Sequence, residues 1–252
     1  MNLYSKIISI AEEKGAAYLI LIDPDKINGA VLADFVRHSE SSGADGFLIG
    51  GSLMMGNGLH ESIDIIKQNS KLPVIIFPGE INQVTPNADG ILFISLISGR
   101  NPHHLIGKHI TAAPLIKKFN IEPIATGYML IESGKTTTAE YMSGSFPIPR
   151  NKPEIALATA LAAQYLGMKM IYLEAGSGAE QTIPNEMVRF VTRNLDIPVI
   201  VGGGIRDSAT ARAKVENGAK VIVTGNFFED TNNWDKIKEF ADAVHTKKGI
   251  IV

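Results

Sequence analysis

Apolar residues fall in eight short runs: AYLILID from Ala17, GFLIGG from Gly46, PVIIFPG from Pro73, GILFISLIS from Gly90, IEPIATGYMLIE from Ile121, KMIYLEAG from Lys169, IPVIVGGGI from Ile197 and KVIVTGN from Lys220. Each run is nearly continuous rather than alternating, the pattern of parallel strands covered on both faces. Parallel neighbours need crossovers, and the intervening segments carry helical periodicity. Leu32, Phe35, Val36 and Ser39 share one face after the first strand, and Ile155, Ala158, Leu161, Ala162 and Tyr165 share one before the sixth. Ile237, Phe240, Ala241 and Val244 share one after the eighth, on a helix expected to open at Asn233 or Asp235. The strand starts are 29, 27, 17, 31, 48, 28 and 23 residues apart, a βα unit with loops of variable length. These units predict a (β/α)8 TIM-like barrel with an extra N-terminal helix over residues 3–14. An open doubly wound sheet is the architectural alternative.

Two spacings depart from the average. Between strands 3 and 4 the segment INQVTPNAD carries Pro86 and leaves little room for a helix, so that crossover is expected to be irregular. After strand 5 the polar stretch SGKTTTAEYMSGSFPIPRNKPE is too long for a plain connector and reads as a loop over the barrel mouth. No linker composition divides the chain, so residues 1–252 read as one domain.

Composition narrows the function classes. A net charge of −2 gives no general attraction to nucleic acid, so an anionic ligand must be held by local groups. The absence of cysteine removes disulfides, thiolate metal sites and a thiol nucleophile, and agrees with a reducing cytoplasm. The N-terminus lacks the basic start and apolar run of a signal peptide, and no apolar run is long enough for a membrane helix, which limits membrane contact to a peripheral one.

In such a barrel the chemistry collects where the strands end. Strand 6 ends in YLEAGSG, strand 7 in Gly202, Gly203 and Gly204, and strand 8 in TGN with Gly225 and Asn226. Three adjacent glycine-rich loops let backbone amides approach an anion, and a phosphate site is favoured over plain tight turns. Strand 1 ends in DPDK. Asp23 and Asp25 fit a Mg2+ completed by water and a substrate diphosphate, or equally a cap at Asp25 with an ion pair at Lys26. Ser52, after strand 2, is an oxygen ligand or an N-cap. Alternation turns Tyr172 and Glu174 inward and Leu173 and Ala175 outward. Glu174 is then a general base near the phosphate loops or a buried partner of Arg206 or Lys26. Thr126 and Tyr128 share the inner side of strand 5. The six histidines show no metal-ligand spacing and read as solvated.

LIDPDK, IGGS, FPG, YLEAGSG, VGGGI and TGN, in this order over nearly the whole chain, resemble the geranylgeranylglyceryl phosphate synthase family, which includes the heptaprenylglyceryl phosphate synthases. The resemblance implies a modified barrel that joins sn-glycerol 1-phosphate to a polyprenyl diphosphate through an ether bond and releases diphosphate. It implies Mg2+ on Asp23 and Ser52. It places the glycerol phosphate on Tyr172, Leu173, Glu174, Ala175, Gly176, Ser177 and Gly178 together with Gly203, Gly204, Gly225 and Asn226. Glu174 is the implied base and Tyr172 the implied stabiliser of positive charge at the allylic carbon, with FPGE and SLISGRN as walls of a prenyl trough. The form YLEAGSG, rather than YLEYSG, favours a geranylgeranyl donor. Homo-oligomers are also implied. A phosphosugar isomerase or cyclase fits less well, because strand 5 ends without an Asp and strands 2 and 3 carry no lysine. A non-catalytic prenyl-phosphate binder is the remaining rival.

Overall fold

The computed structural model describes residues 2–247; Met1 and residues 248–252 of the domain read from the sequence lie outside the described residues. Eight parallel strands form a closed barrel in sequence order: β1 (Ala17–Ile22), β2 (Gly46–Ile49), β3 (Val74–Ile76), β4 (Gly90–Leu96), β5 (Glu122–Leu130), β6 (Met170–Glu174), β7 (Val199–Gly202) and β8 (Val221–Thr224). Closure through the β1–β8 ladder, in which Leu19 lies opposite Val223, excludes the open sheet.

Strand alternation sorts the apolar side chains into two shells. Leu19, Leu48, Ile75, Ile124, Tyr172 and Ile200 fill the barrel, while Ile20, Ile49, Ile76, Leu173 and Val201 face the surrounding helices. Those helices are α1 (Leu3–Lys14), α2 (Gly29–Ser41), α3 (Leu59–Asn69), α4 (Lys108–Phe119), α5 (Thr138–Ser143), α6 (Pro153–Tyr165), α7 (Asn185–Thr192), α8 (Ser208–Glu216) and α9 (Ile237–Val244). The extra helix, α1, is capped by Asn2 and sends Leu3, Ile7 and Ala11 into the inner shell. Glu122 at the start of β5 accepts the amides of Leu3 and Tyr4, at 2.5 and 3.0 Å. The N-terminal end of the barrel is thus covered, leaving the opposite end for a ligand. Nearby, Asp45 is buried under Lys14, His245 and the Tyr18 amide, and ties both ends of the described chain to β1 and β2.

The helix faces expected for α2 and α9 are the buried ones. The face expected for α6 is not: Ala156, Ala160 and Ala163 pack on the barrel, whereas Ile155 and Tyr165 are exposed. Helix α6 is apolar on nearly every side, so periodicity could not choose a face. Close approach to the outward side chains of β5 and β6 selects the small alanines. Helix α9 is likewise not capped by Asn233 or Asp235; a 3-10 segment, Thr231–Lys236, runs directly into it.

The β3-to-β4 crossover is irregular, as its sequence requires. It holds one 3-10 turn, Ile81–Gln83, in place of a covering helix. Buried Gln83 pins it, donating to Gly51 O (2.9 Å) and accepting the Gly79 amide (3.1 Å). The outward side of β4 is consequently left without the helix that covers other strands. The long segment after β5 folds into α5 and a short bridge between Ile131 and Ile148. No helix among the described residues is long and apolar enough to cross a membrane.

Candidate active site

One cavity occupies the C-terminal end of the barrel and has two chemically distinct halves. The polar half is built on β6, β7, β8, β1 and β2. It brings together Asp23, Ser52, Tyr172, Glu174, Ser177, Gly178, Gly203, Gly204, Gly225 and Asn226. Of the segment predicted at strand 6, Leu173, Ala175 and Gly176 do not line it; Leu173 and Ala175 belong to the outer shell.

The glycine loops are positioned by specific contacts. Gly203 has φ +86°, and a Cβ there would lie 2.5 Å from Glu174 Oε1 and 2.7 Å from Gly176 N, so no other residue fits without moving the carboxylate. Asn226 joins the loops of β6 and β8: its Oδ1 accepts Ser177 Oγ–H (2.7 Å) and Gly178 N–H (3.2 Å), while its Nδ2 donates to Glu229 (2.8 Å). Arg206 donates to Ala179 O (2.7 Å), lines the cavity, and has no carboxylate partner among the described residues. It supplies a side-chain cation next to the three loops.

Glu174 is only 5% exposed and makes no ion pair with Arg206 or Lys26. Its Oε1 accepts the Gly176 amide at 2.6 Å. Burial raises its pKa, and the Gly176 amide and Tyr172 hydroxyl oppose part of that rise, leaving it at about 7. A carboxyl near neutrality is suited to proton transfer. The Tyr172 ring stacks on Phe77 with centroids 5.3 Å apart, and Tyr128 meets both rings edge-on at 5.5 and 5.7 Å. Burial and the Glu174 charge hold both tyrosines well above their ordinary pKa, so they stay neutral. These three rings stand between the polar and apolar halves.

Asp23 and Asp25 do not act as a pair. β1 ends at Ile22, and a turn sends Asp25 away from the cavity to bond the amides of Met55 (2.6 Å) and Gly56 (3.2 Å). Asp25 therefore braces the loop after β2, and it caps no helix. Asp23 stays on the cavity, half-buried and without an ion-pair partner among the described residues. Burial raises its pKa; the Asp25 amide, donating to Asp23 Oδ1 at 3.0 Å, opposes that rise, the Asp25 charge adds to it and the Lys26 charge opposes it. Glu229 lies across the same half, raised first by burial and then by the charge of Asp23. Ser52 lines the cavity and is not an N-cap, because α3 starts at Leu59. No three acidic or histidine side chains cluster as a metal cage among the described residues. Asp23 and Ser52 still suit a Mg2+ that takes its other ligands from water and diphosphate oxygens.

The apolar half lies against β3, β4 and β5. Phe77 to Glu80 line it as expected from FPGE, but from SLISGRN only Leu96 does. Its other walls are Ile81, Val84, Ile91, Phe93 and Ala112, which sequence reading missed. Ile91 and Phe93 are alternating outward positions of β4, so the trough leaves the barrel through the gap where a crossover helix is missing. The signal was available in the 17-residue spacing, but its consequence for a ligand was not. His109 also lies here and is not solvated. It is 7% exposed, 3.1 Å from Ser95 Oγ and edge-on to Phe93 at 4.4 Å, and burial lowers its pKa. Thr126 is buried below the cavity, bonded to Ile124 O.

Comparison with known proteins agrees with this geometry. A geranylgeranylglyceryl phosphate synthase from Chitinophaga pinensis is 42% identical over 250 residues, covering 99% of this chain and 98% of that one. One from Thermococcus kodakarensis is 43% identical over 228 residues, covering 90% of each. The crystal structure of (S)-3-O-geranylgeranylglyceryl phosphate synthase from Thermoplasma acidophilum, in complex with its substrate sn-glycerol-1-phosphate, matches with a TM-score of 0.92 at 33% identity, covering 98% of this chain and all of that one. The model of the PcrB family matches residues 8–244, and the chain belongs to the PcrB family.

Proposed function

We propose that the protein is a geranylgeranylglyceryl phosphate synthase, a prenyltransferase that joins the 3-hydroxyl of sn-glycerol 1-phosphate to C1 of geranylgeranyl diphosphate. The observation that carries this reading is the position of Glu174, a buried carboxyl with a pKa of about 7, where glycine loops meet an apolar trough. The relatives above 40% identity, which are geranylgeranylglyceryl phosphate synthases, and the ligand of the Thermoplasma acidophilum structure support it.

The amides of the loops holding Gly178, Gly203, Gly204 and Gly225, with Arg206, hold the phosphate, and Asn226 keeps two of those loops in register. This grip sets the glycerol hydroxyl beside Glu174, which takes its proton as the oxygen attacks C1 of the prenyl group. The new C–O bond forms as the bond to diphosphate breaks, and the diphosphate leaves with the electron pair. Positive charge building on the allylic carbon faces the neutral rings of Tyr172, Phe77 and Tyr128, whose π faces attract it. Asp23 and Ser52 are the residues that would hold Mg2+, which when bound neutralises charge on the leaving diphosphate. The prenyl tail lies in the trough between Ile81, Val84, Phe93 and Ala112. We further read residues 1–252 as one domain acting in the cytoplasm as a homo-oligomer.

The test is turnover of labelled sn-glycerol 1-phosphate with geranylgeranyl diphosphate. Prenylation is expected to be much faster than with the 3-phosphate and to stop with EDTA. Equal rates with both enantiomers, or full activity without metal, would remove the assignment.

A further inference from the structure

The proposed reaction brings two anions into one cavity. Among the described residues that line it, the only side chains with a permanent positive charge are Arg206 and Lys108, against the acids Asp23, Glu80, Glu174 and Glu229. Arg206 stands beside the glycine loops, bonded to Ala179 O, and serves the glycerol phosphate. Lys108 stands apart from it, on the side of the apolar half. The two histidines there add no charge: burial first, then the Lys108 and His103 charges, lower the pKa of His104 against an opposing Glu80, and burial likewise lowers that of His109.

The place of Lys108 is set by its neighbours. A π-helical turn, His103–Gly107, runs directly into α4 and brings His104 and Lys108, four residues apart, onto the cavity wall. Such turns are uncommon and collect at functional sites. Lys108 Nζ donates to Gly79 O (3.1 Å) and to Glu80 Oε1 (2.7 Å). Gly79 is itself pressed against the loop after β2: a Cβ on it would collide with Gly51 O and lie 3.0 Å from Ser52 Cα, while a Cβ on Gly51 would lie 3.8 Å from Asp23 Oδ2. Through these contacts the ammonium reaches the same wall as Asp23 and Ser52. The Lys108 side chain is 17% exposed and that of Glu80 52%, so the ion pair opens to water on the Glu80 side.

We infer that Lys108 binds the diphosphate of the prenyl donor, acting beside Asp23 and Ser52. The inference rests on the proposed reaction and names a residue for its donor. Mg2+ with one acidic ligand carries less positive charge than a diphosphate carries negative, and more negative charge gathers on the leaving group as its bond to C1 breaks. An ammonium with three N–H donors on the prenyl side supplies the missing cation. Lys108 keeps its proton throughout. It exchanges the Glu80 carboxylate for diphosphate oxygens, and Glu80 turns to water, at the loss of one partly exposed ion pair.

The test is calorimetric titration of the full-length chain with geranylgeranyl diphosphate and with inorganic diphosphate, both with Mg2+, and with sn-glycerol 1-phosphate, for wild type, Lys108→Gln, Lys108→Arg and Glu80→Gln. Lys108→Gln is expected to weaken both diphosphates about tenfold or more, as loss of a hydrogen bond between charged groups does. It should leave glycerol phosphate binding unchanged and lower kcat, and Lys108→Arg should recover most of the diphosphate binding. Glu80→Gln removes the competing carboxylate and should tighten both diphosphates, by up to about fivefold. A mere strut between the β3 crossover and α4 would behave otherwise, because breaking it from either end would lower Tm and binding alike. Diphosphate binding that is unchanged in Lys108→Gln, or weakened in Glu80→Gln, overturns the inference. Should Lys108→Gln not fold, tighter binding by Glu80→Gln supports the inference and any other result overturns it. Prenyl transfer by wild type, matched by Lys108→Gln in rate and affinity, removes Lys108 and leaves the reaction standing. Diphosphate binding that depends on Lys108, without any prenyl transfer by wild type, keeps the binding residue and removes the reaction.

Discussion

The polar and apolar halves of the cavity are made by the same barrel but by opposite means. In the polar half the strands are followed by tight glycine turns whose amides and side chains converge: Gly203 fits against Glu174, and Asn226 spans two loops. In the apolar half the barrel works by omission. The crossover after β3 has only one 3-10 turn, and the outward residues Ile91 and Phe93 become the wall of a trough. Convergent polar groups can specify one small, rigid ligand, while a gap lined by aliphatic and aromatic side chains accepts a long tail with little demand on its detail. Between the halves stand Glu174 and three aromatic rings, where the two ligands must meet.

Substitutions can break this contrast. The largest effect is expected from Glu174→Gln, which removes the base but keeps the size: kcat should fall by about 100- to 10,000-fold with glycerol phosphate binding retained. Stability should move the other way. The folded-state pKa of Glu174 is raised to about 7 from an ordinary 4.5, so the folded protein holds this proton more tightly than the unfolded chain. Wild type therefore loses stability as pH rises from about 4.5 to about 7, by up to roughly 3 kcal/mol. The variant should be the more stable protein at pH 8, with the difference fading towards pH 5, as thermal melts at both pH values would show. In wild type, kcat should rise with pH through about 7, as the base loses its proton; a flat profile would remove Glu174 from that role.

Asp23→Asn comes next. It should weaken Mg2+-dependent binding of prenyl diphosphate by about tenfold to 100-fold, by analogy with the loss of other metal-site partners, and change glycerol phosphate binding little. Calorimetric titration of each ligand checks this, and unchanged diphosphate binding would assign the metal elsewhere. Asp25 is not the fallback, since its carboxylate is committed to Met55 and Gly56. A smaller effect is expected from Ala112→Phe, which fills the trough: KM for a geranylgeranyl donor should rise by roughly tenfold, or about 1.4 kcal/mol, while a donor half as long is little affected. Equal losses for both donors would mean that the tail lies elsewhere.

The two halves also differed in how far they could be read from the sequence. Glycines before helices and a carboxylate at a strand end leave local signals, so Glu174, Ser177, Gly203 and Asn226 were placed on the cavity from spacing and resemblance. Strand alternation further separated Tyr172 from Leu173. The trough left a weaker signal, because Val84, Ile91 and Ala112 look like ordinary core residues and only the missing helix turns them towards a ligand. His109 was misread for the same reason: sequence shows its type, while burial against Ser95 and Phe93 depends on the packing of α4 on β4. The buried face of α6 was lost to a helix apolar on all sides. Asp25 was left open by a turn whose direction two residues after a strand cannot be read from alternation.

The most direct test of the division is a crossed titration of Arg206→Gln and Ala112→Phe with sn-glycerol 1-phosphate and geranylgeranyl diphosphate, each ligand added alone. Arg206→Gln is predicted to weaken glycerol phosphate and spare the prenyl diphosphate, and Ala112→Phe to do the reverse. If both variants weaken both ligands alike, the cavity is a single undivided site and the two-half account is wrong.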